Sequence, residues 1–235
     1  MKHFYFLFSI TLFIGNLGFG QATLSSGDIA IIALDTSAED FMFVTFVSLD
    51  AGTEIYFTDA DADGDYTIDM SEGTLLYTAP SAIAAGTVII RPDSSGWTTT
   101  SDGDLQLGNS GDGLLAYQGP SVGNVTTFLH AVGEDAGDIG TFPGGFNNFI
   151  TIGADNGEYG GTRTGTSSDL MDEVNDSSNW STSGSEIIPF AGTSSFTISG
   201  GCTAPTTQAS AYNTTPLGSS TATLNWTSGD GDEVL

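Results

Sequence analysis

The residues with the clearest chemical potential form one acidic run, Asp59-Ala60-Asp61-Ala62-Asp63-Gly64-Asp65. Carboxylates at alternate positions ahead of a glycine suit a calcium loop. Hard cations take oxygen ligands, and glycine admits the sharp turn that brings the side chains onto one ion. A helix-flanked twelve-residue calcium loop would place a bidentate Glu at its last position. Counted from Asp59 that place is Met70, with Asp69 before it and Glu72 two residues on, and a strand pattern precedes the run where a helix is needed. The expectation is therefore a looser calcium loop closed by Asp69 or Glu72, set against a plain acidic hairpin loop in an acidic protein. The candidate ligands are Asp59, Asp61, Asp63, Asp65, Asp69 and Glu72, and calcium is the candidate cofactor.

Other reactive groups are sparse. Asp102, Asp104, Asp112, Glu134, Asp135 and Asp138 lie in loop-like stretches. Two carboxylates about 5 to 9.5 Å apart can hydrolyse a glycoside, but the spacing singles out no pair. His130 is the one histidine beyond the first few residues, sits in a strand-like TFLHAV segment and has no G-x-S-x-G companion, which predicts a structural residue. One His and one Cys are too few for a His-based zinc site. No lysine follows Lys2, which excludes P-loop and Schiff-base chemistry from the rest of the chain. Tyr56, Phe57, Tyr77, Trp97, Tyr117 and Trp180 are candidates for a sugar-stacking face. Adjacent Tyr56 and Phe57 must point to opposite sides of a strand, and Trp97, in SSGWTTT, is expected to be exposed.

The elements that must position these groups read as β throughout. Apolar or alternating runs fall at 28–34 (DIAIIAL), 41–49 (FMFVTFVSL), 53–57 (TEIYF), 74–78 (TLLYT), 87–91 (TVIIR), 105–107 (LQL), 114–118 (LLAYQ), 127–132 (TFLHAV), 149–152 and 195–198. Gly, Asp, Asn or Pro punctuates the intervals, which predicts an all-β sandwich or barrel without βαβ units. The exception is 167–174 (SSDLMDEV), where Leu170 and Val174 lie four apart behind capping Ser and Asp, and one short helix is expected. Trp180 follows as a packing anchor.

Residues 1–20 read as a removable secretory leader: Lys2, an apolar run over 4–14, then Gly18 and Gly20. The apolar run is shorter than the roughly 20 residues needed to span a bilayer. Twenty-nine acids face three bases for a formal charge of −26, and removing Lys2 would take it to about −27. That field argues against nucleic acid and anionic membranes as partners, attracts cations and keeps an exported protein dispersed. With 39% hydrophobic residues the chain has material for a core, and disorder is not expected. Cys202 is the single cysteine, unusual where oxidising conditions favour pairs.

After Gly200-Gly201 the composition turns to Thr, Ser, Ala and Pro. Pro205 and the TATLNWT strand with Trp226 resemble the opening of a fibronectin type III domain, of which only the first part would be present. Across 24–199, GDIAIIALDTSAEDFMFVTF, EIYFTDAD, EGTLLYTAP, LQLGNSGDGLLAYQG and NDSSNWSTSG are similar to a lamin-tail-like, immunoglobulin-like sandwich repeated in large secreted bacterial proteins. With the leader, the arrangement resembles Bacteroidetes-type exported proteins. The resemblance implies a leader (1–20), a β-sandwich domain (24–199), a linker (200–204) and an incomplete fibronectin-like segment (205–235). It also implies a non-catalytic role in adhesion, spacing or ligand presentation, toward an extracellular carbohydrate or protein. A calcium-dependent carbohydrate-binding module, or the accessory part of a secreted hydrolase, are the alternatives.

Overall fold

The computed structural model describes residues 22–68, 72–108, 111–187 and 189–200 in full, and residues 210–218 and 221–227 by their backbone. The expected leader, Asp69, Cys202 and residues 201–204 of the linker lie outside the described residues. In chain order the strands are β1 (Ile29–Asp35), β2 (Asp40–Thr45), β3 (Glu54–Thr58), β4 (Ala62–Asp63), β5 (Thr74–Thr78), β6 (Val88–Arg91), β7 (Trp97–Thr99), β8 (Gly113–Gln118) and β9 (Thr127–Gly133). They continue with β10 (Gly140–Thr141), β11 (Phe149–Thr151), β12 (Asn156–Tyr159) and β13 (Thr164–Gly165). Helix α1 (Ser167–Val174) follows, then β14 (Trp180–Ser183), β15 (Thr197–Ile198), β16 (Ser210–Gly218) and β17 (Thr221–Thr227).

Two sheets carry the fold. One has the order β14-β12-β1-β2-β6, and the other β11-β9-β8-β3-β5-β7. All their pairings are antiparallel except β11 with β9. The chain is thus an all-β sandwich with one short α-helix, as the punctuated apolar runs require. Between the sheets, β2 contributes Phe41 and Phe43, and the facing strands contribute Phe57, Tyr77 and Trp97. Their rings interlock with centroids 4.9–6.1 Å apart, mostly tilted or edge-on, the geometry that aromatic quadrupoles favour. Trp97, expected to be exposed, therefore belongs to this core. Its segment forms β7 on the sheet edge beside β5, and the indole is held by four neighbouring rings.

His130 is an internal tie, and its position needs two bulges. Register slips at Ile32 in β1 and at Leu129 in β9, so that Leu129 and His130 both leave the usual alternation. The imidazole is fully buried. Its Nδ1 accepts from the Ile31 amide at 3.2 Å and its Nε2 meets Asn175 Oδ1 at 3.1 Å, a network that assigns the proton to Nε2. Burial pushes its pKa down to about 4. Asn175 ends α1, whose Leu170, Met171 and Val174 close one end of the sandwich, and Trp180 donates its indole N–H to the Val174 carbonyl at 2.8 Å. The helix cap is Thr166, accepting from the Asp169 amide at 3.1 Å, in place of the Ser and Asp expected from the sequence.

The run at 105–107 forms no strand. Leu105 and Leu107 are buried in the core, but the Gln106 amide between them is given to a carboxylate, Asp59. At the far end of the chain β16 and β17 make an antiparallel hairpin, and TATLNWT is β17 as its alternation indicates.

Candidate binding groove and its acidic flank

The outer face of the six-stranded sheet is also covered, by loops. Tyr56, Leu115, Tyr117, Phe128 and Ala131 project onto it, and Ala60, Ala62, Ile68, Val125 and Ile139 fold over them as a second apolar cluster. This explains the acidic run. Ala60 and Ala62 are buried and Asp61 and Asp63 exposed, because β4 lies over the cluster with alternate side chains in and out. The strand pairs in parallel with β10, and Gly140 has φ 71°. A Cβ there would come within 2.3 Å of the Ala62 carbonyl oxygen, so only glycine lets the two segments approach.

The expected calcium ligands are distributed by this packing. Asp59 turns inward, 3% exposed, and its Oδ2 accepts from the Gln106 amide at 2.9 Å. Its Oδ1 is buried without a hydrogen-bond partner, and burial lifts its pKa to about 6, with Asp112 and Asp102 adding repulsion. Asp63 and Asp65 stay outside and bind their own turn. The Thr67 hydroxyl lies within hydrogen-bond distance of both, and the Thr67 amide donates to Asp65 Oδ1 at 2.8 Å. The Thr67 bond holds the Asp63 carboxyl below the usual range. Asp61 and Glu72 are exposed and each has an interaction partner. Among the described residues no group of three or more His, Cys, Asp or Glu side chains is arranged to hold a metal.

Of the other loop acids, Asp112 spends both oxygens on the Gly108 and Gly113 amides, and burial raises its pKa. Glu134 is raised by desolvation and by a hydrogen bond with Asp155. Two clefts of the described residues are lined by neither Asp59 nor Asp112. The larger, about 400 Å³, lies against Ile90, Pro189 and Phe190, and its cation is engaged: Arg91 meets Asp40 at 3.7 Å and donates to the Glu39 carbonyl. Arg163 lies 4.7 Å over the Phe196 ring and donates to the Ser194 carbonyl at 2.7 Å. Both arginines therefore stitch loops onto the sandwich.

The second cleft, about 350 Å³, is a groove on the outer face between Tyr66, Phe128, Thr126 and Thr127 on one side and the turn Pro143–Phe146 on the other. Tyr66 and Phe149, 53% and 38% exposed, are the large hydrophobic side chains most open to solvent among the described residues. They end two ring stacks. Tyr66 lies nearly parallel to Phe128, and Phe149 to Phe142 and Phe146, while Phe128 joins the stacks through Phe142 and Phe146 at 5.2 and 5.7 Å. Backbone bonds fix the rims. The Val125 amide donates to the Tyr66 carbonyl at 3.0 Å, the Ala131 amide to the Asn148 carbonyl at 3.1 Å, and Asn148 Nδ2 to Ser26 Oγ at 2.8 Å. The turn itself closes through the Phe146 amide to the Pro143 carbonyl with Gly145 at φ 100°, the left-handed position of a type II turn.

The aromatics singled out from the sequence for a sugar-stacking face do not form one. Tyr56, Phe57, Tyr77 and Tyr117 are buried because both faces of the six-stranded sheet are covered, and Trp180, in β14 of the other sheet, is buried beside α1. The signal that would have found the groove is Phe142-Pro143-Gly144-Gly145-Phe146 followed by Phe149, aromatics carried on a tight turn where they cannot all be buried. No helix among the described residues is long and apolar enough to cross a membrane. No protein-family model, curated protein or solved structure matches this chain.

Proposed function

We propose that residues 24–199 are a non-catalytic binding module of an exported, multidomain protein, and that it presents the outer-face groove to an extracellular ligand. The observation that carries this reading is the placement of Tyr66, a solvent-open ring lining a groove whose rims are pinned by backbone bonds, with a second open ring, Phe149, stacked on Phe146 of the opposite rim. Of the groups that could do chemistry, His130 is bonded at both ring nitrogens inside the core, both arginines are tied to loop carbonyls, and Asp59 and Asp112 line neither of the two clefts. The leader-like start and the resemblance to lamin-tail-like and fibronectin type III modules support an accessory role at a cell surface or in the medium. The test is to incubate the purified chain with extracellular polysaccharides and proteins and to follow both retention and product release. Retention without release is expected. Turnover of any polymer by the pure chain would overturn the reading.

A calcium-dependent form of the same reading is favoured by Asp59, whose buried Oδ1 lacks a partner beside the Asp102 and Asp112 charges. A cation there would offset the cost of burying that carboxylate.

A further inference from the structure

The groove is lined by Ser26, Tyr66, Thr126, Thr127, Phe128, Pro143, Gly144, Gly145 and Phe146, so no carboxylate and no cation faces it in a chain with 29 acids. From this we infer that the groove binds an uncharged glycan chain, with one sugar face stacked on Tyr66, hydroxyls bonded by Thr126, Thr127 and Ser26, and the chain running on past Phe146 onto the open Phe149 ring stacked beside it. The inference rests on the binding-module reading and gives its ligand class.

A pyranose has an apolar face of C–H groups and an equatorial rim of hydroxyls, so it needs flat rings beside hydroxyl partners. The groove supplies both. Ser26 Oγ already accepts from Asn148, which leaves its proton free to donate. The ring stacks hold the platforms flat before any ligand arrives, which lowers the entropy cost of binding.

Charge separates this occupant from others. An anionic glycan would meet Asp63 and Asp65, exposed at either side of Gly64 and next to Tyr66 in the chain. A cationic peptide would need a carboxylate turned into the groove, yet those two are committed to the Thr67 hydroxyl and nearby amides. A protein partner would need about 800 Å² of complementary surface, and Tyr66 and Phe149 are the large apolar side chains exposed among the described residues. One ring platform in a groove of about 350 Å³ and a second beside its rim match a few sugar units better than a protein face.

The experiment is affinity electrophoresis of the full chain through gels holding neutral polymers (xyloglucan, galactomannan, mixed-linkage glucan, amylose, dextran) or anionic ones (alginate, polygalacturonate, heparin). At least one neutral polymer should retard the chain and no anionic one should. Y66A/F149A should weaken retention roughly tenfold or more. Both side chains end their ring stacks and are partly open to solvent, so the double variant should stay folded with a modestly lowered melting temperature, and Phe149→Tyr, which keeps a ring, should bind like the parent. Failure of every neutral polymer, retention by the anionic set, or full binding by folded Y66A/F149A each overturns the glycan assignment. Retention by immobilised proteins alone overturns it too while leaving the binding-module reading intact. Polymer cleavage by the chain overturns that underlying reading.

Discussion

Tyr56 and Phe57 are neighbours in β3 and both are buried, yet they live in different kinds of interior. Phe57 faces the opposing sheet, fully enclosed, with the rings of Phe41 and Phe43 each 5.0 Å away and Trp97 at 5.5 Å. Tyr56 faces outward under loops and stacks on Tyr117 at 5.1 Å. The inner space is bounded by two hydrogen-bonded sheets that cannot close over a void. The outer cover is loop, built from short segments such as β4 and β10, and it ends in rings left open to solvent. One sheet thus has a face specialised for stability and a face free to vary.

The sharpest way to break this comparison is a pair of truncations on adjacent residues. Phe57→Ala should cost about 3–5 kcal/mol, because rigid sheets leave the cavity largely unfilled. Tyr56→Ala should cost less, about 2 kcal/mol, because the covering loops can settle into the space. Urea unfolding measures both. Equal losses would mean that the loop cover is as rigid as the second sheet.

Two buried groups, His130 and Asp59, titrate out of place between pH 4 and 6, and they work against each other with pH. His130 titrates near 6.5 when unfolded and at about 4 when folded, so the unfolded chain binds more protons between those values. Its contribution is present above pH 6.5 and is lost as pH falls toward 4, by about 3 kcal/mol in full. Asp59 runs the other way. Its folded value of about 6 lies above the usual 3.8, so the folded chain binds more protons in that window and loses stability as pH rises through it. The parent should therefore show a muted response between pH 4 and 6 from these two groups. His130→Gln should leave a stability that falls more steeply with rising pH than the parent's, and Asp59→Asn one that rises more steeply. Parallel profiles for all three proteins, from urea midpoints across the range, would show that neither environment survives in solution.

The sandwich was legible where periodicity and burial agree. TLLYT is β5 with its expected bounds, and SSDLMDEV is α1 with its expected bounds, since Leu170 and Val174 have nowhere to go but the core. Legibility failed where ladder and hydrophobicity part company. The Asn156–Tyr159 and Trp180–Ser183 strands are too polar or too short to stand out, while LQL has the alternation of a strand and gives its amide to Asp59. The acidic run shows the same ambiguity at the candidate site. Alternating Asp is what a calcium loop needs, and alternating Ala is what a two-residue strand over an apolar cluster needs; one sequence satisfies both patterns. The groove was harder to read for a further reason: Tyr66 and Phe149 come from segments more than eighty positions apart, brought to one face by the pairings of β4 with β10 and of β11 with β9 and by the bonds of Val125 to Tyr66 and Ala131 to Asn148.

The smallest expected effect decides what Asp59 is for. At pH 7 its carboxylate is charged, buried and half-bonded, so Asp59→Asn should stabilise the protein by about 1–2 kcal/mol in calcium-free buffer, keeping an acceptor for the Gln106 amide while removing the charge. Calcium held on the native state should raise the parent's melting temperature, modestly because no three described acids are grouped around one point, on the order of 1–3 °C. The same substitution should abolish that rise. Superimposable parent melts in calcium and in chelator would remove calcium from this loop and leave Asp59 as a buried acid that pins the 105–107 segment. A rise that persists in Asp59→Asn would move the cation to other carboxylates of the acidic flank, and the orphaned oxygen would then have no role in holding it.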